Sequence, residues 1–423
     1  MPLKAALKAP WGFLPLLFLV PFFLILSRTP RSEDENYSII NGRNILTALV
    51  SKDQAFKKEA AEFDAIMGIG TVVTLPVGAA FMASHNVIIA RLALTLYVLL
   101  YWFSLALCFQ SFCARFAPTV RWKPWEFTVM ALTMLFFVQG VPGSYLSQSI
   151  AMGEYPGATF FALSLALLFR GKLTWSVVAY SLCLCAKLHF LLYAPLLFFA
   201  VAHQSLPASQ RQPRSLLQRM VLYGSIFAII PILIQAMKIL AFGWPAYAAA
   251  WKSYGDFFIH KSGSGLGSHD PRFTLAVNEW PHYSWREKAY FMLGVFTPVL
   301  AVLYYGRKHR RSSPWMLLAA MSIVILVGAS HWWFISVVQW WRWTHYFLIP
   351  GYAIGIFTAV LETWKLARHR GQALLKIAPW ILLTVASYVQ IRQTIVGTWQ
   401  NTKTLTPAQR TFIDWKSPSR VGP

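Results

Sequence analysis

Apolar runs of roughly 15 to 25 residues alternate with short basic connectors along most of this chain, the pattern of successive membrane-spanning helices. The first run is Trp11–Ser27. Lys4 and Lys8 precede it, Arg28, Pro30 and Arg31 follow it, and it lacks a small-residue cleavage pattern, so it is expected to be retained as a first span. Further spans are expected at 89–109, 124–140 and 155–169, then at 217–240, 288–305, 314–330, 344–361 and 374–390. The segment 173–203 is longer than the roughly 20 residues that cross a bilayer and lies between two basic connectors. It reads as two short helices, 173–188 and 189–203, turning near Lys187, His189 and Pro195.

The connectors orient these spans. The groups Arg211/Arg214/Arg219, Arg307/Lys308/Arg310/Arg311 and Lys365/Arg368/Arg370/Lys376 contain no acid, nor does the turn Arg170–Lys172; with Arg121 and Lys123, they mark the cytoplasmic side. An even number of crossings must then separate the spans 11–27 and 89–109. The apolar stretch Asp64–Ala83, interrupted by Gly68, Gly70, Pro76 and Gly78, is therefore expected to dip into or lie along the membrane. Residues 28–88 become one long outer loop, in which 52–63 reads as a charged surface helix with Lys58 and Glu62 at i,i+4 spacing.

The resulting expectation is an all-α polytopic membrane protein with about 11 transmembrane helices. Its parts are an N-terminal membrane module (1–203, outer loop 28–88), a C-terminal module (204–390, outer loop 241–287) and an outer tail at 391–423.

Composition agrees. The chain is 57% hydrophobic and 13% charged, against roughly 25% charged in soluble proteins. Its formal net charge of +23 would suggest nucleic acid in a soluble protein; here it follows from basic cytoplasmic connectors. Of the 15 acidic residues all but Glu126 and Glu362 fall on the outer side. Cys108, Cys113, Cys183 and Cys185 sit in or beside apolar runs without metal-ligand spacing. No P-loop, kinase signature, HExxH or GxSxG motif occurs.

Candidate chemistry gathers at the outer edge. In RSEDENYSIINGRNIL three carboxylates, Glu33, Asp34 and Glu35, stand where the chain leaves the first apolar run. They are either a solvated flank or a general base at the bilayer surface. Glu154, in AMGEYPGATFF, opens a span behind an uncharged loop, and suits either a helix-dipole partner or a site carboxylate. Lys187 and His189 lie in the apolar run SLCLCAKLHFLLYAP, placed to meet an anionic head group. Arg342 and His345 stand among five tryptophans in WWFISVVQWWRWTHYFLIP, and Arg91 opens the second span. The tryptophans are explained by an interfacial belt; an outward arginine is not, and its planar donors suit phosphate. Outer carboxylates beside outer cations would suit a phospholipid-like donor whose tail stays in the bilayer.

These stretches resemble the GT-C class of integral-membrane glycosyltransferases. DENYSIINGRNIL is similar to the first-loop motif of the aminoarabinose and protein-mannosyl transferase relatives. IIARLALTLYVLL resembles their arginine-led second span, and GEYPGATFFALSLALLFRGK a later helix with an outer carboxylate. LCLCAKLHFLLYAPLL and RWTHYFLIPGY resemble their lysine and late arginine stretches. The likeness covers roughly residues 10–200, with Arg342–Pro350 as a late echo. It departs in the position of Tyr37 and in having Ala186 where a threonine is usual.

The resemblance implies transfer of a sugar from a polyprenyl-phosphate-sugar donor to a glycan, lipid or protein acceptor, with inversion. Asp34 would be the base beside Glu35 and Glu33. Lys187, His189, Arg342, Arg91, Glu154 and His345 would form the donor-phosphate and substrate site. Some members use a divalent cation beside the acidic pair and others do not; the three carboxylates could hold one, and no cofactor or metal site is assigned. The expected location is a bacterial inner membrane, with the site facing the periplasm. Two alternatives stand beside this reading. An O-antigen polymerase or ligase would rely on outer cations such as Lys252, Lys261, Arg272 and Arg286 in loop 241–287. A secondary transporter would need ionisable groups within the bilayer.

Overall fold

A computed structural model describes residues 33–67, 70–116 and 153–260, and these are helical with no strand among them. The spans expected at Trp11–Ser27 and 124–140, those expected beyond residue 260, and Arg342 and His345 lie outside the described residues. The α-helices are α1 (Glu33–Val50), α2 (Gln54–Met67), α3 (Thr71–Ser84), α4 (Val87–Phe116), α5 (Glu154–Phe169), α6 (Leu173–Ala186), α7 (Ala194–Ser205), α8 (Pro213–Phe242) and α9 (Trp244–His260). A 3₁₀ turn, Leu188–Tyr193, joins α6 to α7.

Local chemistry sets several of these boundaries. Three carboxylates fall in the first turn of α1, where negative charge complements the exposed N–H groups. Asp53 caps α2: its Oδ1 accepts from the N–H groups of Ala55 at 2.9 Å and Phe56 at 3.2 Å. His85 ends α3 in the left-handed conformation (φ 50°), and Asn86 then caps α4 by accepting from the Ile88 N–H at 2.9 Å. The break expected within 173–203 falls at Lys187, whose extended backbone separates α6 from the 3₁₀ turn.

Helices α4, α5, α6 and α8 build the main bundle. Tyr101 meets Tyr155 edge-on at 5.2 Å near one end of the α4–α5 contact. At the other, Arg170 donates to Ser111 Oγ and Gln110 Oε1, both at 2.8 Å. Ser164 and Ser176 join α5 to α6, each hydroxyl donating to the other's carbonyl at 2.8 Å. Ser181 donates across to the Phe227 carbonyl of α8 at 2.6 Å. Small hydroxyl residues let helices approach closely and satisfy their own polar atoms where water is excluded.

The bundle exposes apolar side chains on its outer faces and buries a few charged ones within an otherwise apolar core. Leu217, Val221, Ile229, Ile232 and Leu240 of α8 are exposed while Lys238 is buried; Leu92, Leu96 and Leu100 of α4 are exposed while Arg91 is buried. Helix α8 is long and apolar enough to cross a membrane; α3 and α6 are apolar but shorter.

Helices α1, α2 and α3 make up the expected first outer loop. At 14 residues α3 falls short of the roughly 20 needed for a crossing. It packs against α1 through two glycines: a Cβ on Gly42 would fall on the Thr74 carbonyl, and one on Gly78 on the backbone of Gly42 and Arg43. Loop 241–287 differs from the sequence expectation in containing α9, which packs on α2 and α8. Trp244, Tyr247, Trp251 and Tyr254 recur at helical spacing along it, with successive ring centroids 6.1, 6.2 and 5.5 Å apart.

Gly42→Ala should force α1 and α3 apart and lower stability by about 1–3 kcal/mol, read as a lower melting temperature in detergent. Gly224→Ala in α8, where an added Cβ meets nothing within 4 Å, should leave stability unchanged or raise it by up to about 1 kcal/mol.

Candidate functional site

Among the described residues, three contacts are central to seating the first-loop helices on the bundle. The first involves the acidic flag. Glu33 and Asp34 occupy the first turn of α1, though their side chains lie outside the description. Glu35 is fully buried. Arg91 of α4 reaches it in a two-pronged pair, Nε donating to Oε1 at 2.5 Å and Nη2 to Oε2 at 2.7 Å. A planar guanidinium matched to a carboxylate fixes orientation as well as distance. The backbone that carries Asp34 is thereby held against α4.

The second contact is made by backbone alone. The Gly70 N–H donates to the Ala186 carbonyl at 3.3 Å. A Cβ on Gly70 would fall on the Cys185 carbonyl and crowd that of Ala186, one on Gly153 would fall on the Ala186 carbonyl, and Gly153 also has a φ of 88° that side chains rarely adopt. Three chain segments therefore converge on the peptide just before Lys187. Two of the sequence-predicted residues adjoin this junction in the chain: Glu154 follows Gly153, and Lys187 follows Ala186. Lys187 itself is buried. His189 lies in the 3₁₀ turn and Glu154 begins α5; the side chains of both lie outside the description.

The two contacts lie at different heights. Tyr97 donates to the Val72 carbonyl at 2.8 Å, marking where α4 passes the start of α3. Arg91 stands six residues earlier on α4, about 9 Å along its axis.

The third contact was not anticipated from sequence. Lys238 of α8 donates to Asp64 Oδ1 at 2.9 Å and to Oδ2 at 2.7 Å, and Asn41 Nδ2 donates to Oδ1 at 3.0 Å. All three residues are buried. The available signal was Lys238 itself, a lysine inside an apolar helix-length run, which must find one of the few acids. Among the described residues no group of three or more His, Cys, Asp or Glu side chains converges as a metal site.

Comparison with protein-family models, with curated proteins and with solved structures finds no match to this chain.

Arg91→Met leaves the Glu35 carboxylate buried without its guanidinium and should cost about 3–5 kcal/mol of stability. The double change Glu35→Gln/Arg91→Met, which buries no lone charge, should recover most of that loss in thermal unfolding.

Proposed function

We propose that this protein is a membrane glycosyltransferase that moves a sugar from a polyprenyl-phosphate-sugar donor to an acceptor on the outer face of a bacterial inner membrane. The observation that carries the reading is the convergence at Ala186. Glu154 and Lys187 each adjoin a residue packed at the Ala186 carbonyl, which the Gly70 N–H before α3 also meets. The exposed apolar faces of α4 and α8 and the length of α8 support a membrane protein, and the apolar runs of the full sequence give the proposed count of about 11 crossings.

In this reading the donor's lipid tail stays in the bilayer and its phosphate lies near Lys187, with His189, Arg342 and His345 as further donors. Both oxygens of Glu35 are engaged by Arg91, so that pair frames the site. The base is then Asp34, with Glu33 beside it. It takes the acceptor hydroxyl's proton as the oxygen attacks the anomeric carbon. The bond from that carbon to the phosphate oxygen breaks, the configuration inverts, and the polyprenyl phosphate leaves with its charge held by the cations. Glu154 is placed to orient sugar hydroxyls.

The buried Asp64–Lys238 pair favours a second reading, a secondary transporter, because such proteins place ionisable groups between helices.

The test is transfer by purified protein in liposomes, using a panel of polyprenyl-phosphate sugars and an envelope extract as acceptor. Asp34→Asn should lower the rate by about 10²-fold or more, whereas Glu126→Gln, on the expected cytoplasmic side, should retain it. Full activity in both Asp34→Asn and Glu33→Gln would remove the base assignment. Ion-coupled uptake without transfer would establish the transporter.

A further inference from the structure

The Asp64–Lys238 pair touches none of the groups just assigned to the reaction, yet it joins more of the structure than either other contact. Asp64 belongs to α2, Asn41 to α1 and Lys238 to α8. Lys238 lies within electrostatic reach of Cys185 near the end of α6, two residues before Lys187. Asp64 stands in the same relation to Tyr247 of α9, whose hydroxyl donates to Gln235 Oε1 at 2.9 Å. Small side chains surround the pair: Ala60, Ala61, Ala65, Ala241 and Ala250 are all buried there and let the backbones approach.

We infer that Asp64 and Lys238, aligned by Asn41, are positioning residues that hold the first-loop helices in register over the Lys187 level for the transfer reaction. Two observations carry this beyond packing. A buried ion pair is a poor device for stability alone, because an apolar pair of similar volume commonly serves as well or better. What it supplies is a single geometry, since an ammonium and a carboxylate bonded through both oxygens allow little sliding. Apart from the Asn41 Nδ2 bond to Asp64, the polar atoms of α1 and α3 nearby do not share that work. Asn41 Oδ1, both amide atoms of Asn44 and Thr74 Oγ1 are buried without a hydrogen-bond partner among the described residues. A partly satisfied polar face favours no register by itself, so the ion pair sets it.

The arrangement completes a three-point seat. Glu35–Arg91 fixes the flag to α4, Gly70–Ala186 fixes the start of α3 to α6, and Asp64–Lys238 fixes α2 to α8. The first two joints lie close to the proposed reacting groups. The third governs how the loop helices lie across them.

The experiment compares wild type with Asp64→Asn/Lys238→Met. That variant leaves no lone buried charge and keeps an acceptor for Asn41, so its melting temperature should stay near that of wild type. Amide hydrogen exchange of the purified protein in detergent should nevertheless quicken by about tenfold across residues 54–67, with the α5–α6 contact unchanged. The kinetic arm rests on the glycosyl-transfer reading. There kcat for transfer from a polyprenyl-phosphate sugar should fall by about tenfold, with the donor KM within about twofold of wild type. Unchanged exchange across 54–67 would overturn the anchor. Faster exchange with wild-type kcat would overturn its positioning role. A wild-type protein that transfers none of the sugars would sink the glycosyl-transfer reading alone, and the exchange result would still decide the anchor.

Discussion

A charged side chain among apolar helices must meet its counter-ion on a neighbouring helix, because water is not there to solvate it. Glu35 with Arg91 and Asp64 with Lys238 are two such solutions among the described residues. Each joins a first-loop helix to a long helix of the bundle. Removing one member would leave the other's charge buried at a desolvation cost. The placement of α1 and α2, and of the acidic flag with them, therefore depends on these pairs. The apolar contacts around them close the gaps but are non-directional and tolerate sliding.

Small residues make the pairs reachable. Gly42 and Gly78 allow α1 and α3 to touch backbone to backbone, and the alanines around Asp64 do the same for α2, α8 and α9. The Ser164–Ser176 exchange performs this service between α5 and α6. Where the hydrophobic effect gives little reason for one helix to prefer another, close approach and shared hydrogen bonds decide the partners. Gly70 and Gly153 extend the principle to the candidate site, where the Ala186 carbonyl leaves no space for a Cβ. The backbone next to Glu154 and Lys187 is thus held at a junction with little freedom to shift.

The geometry also divides labour among the three carboxylates of the flag. Glu35 turns inward and is bonded through both oxygens, so it serves as an anchor. In the proposed reaction the residue before it, Asp34, is the one that meets the acceptor. Three adjacent acids in a sequence look equivalent; a helix with one buried face separates them by about 100° per residue.

The helical class, the break at Lys187 and the helices 154–169 and 213–242 were legible in the sequence, because apolar periodicity, basic connectors and run length are local properties. Helix α9 was legible too, in the spacing of its four aromatic residues, but reading 241–287 only as an outer loop concealed it. The flag, Arg91 and Lys187 could be named as candidates because charge is scarce in this chain. Their pairing could not be. Nothing in RSEDENYSIINGRNIL distinguishes Glu35 from Asp34, and nothing local joins Asp64 to a lysine far along the chain. Such partners are selected by burial, which only the packed helices create, and the scarcity of water there turns scattered charges into fixed pairs.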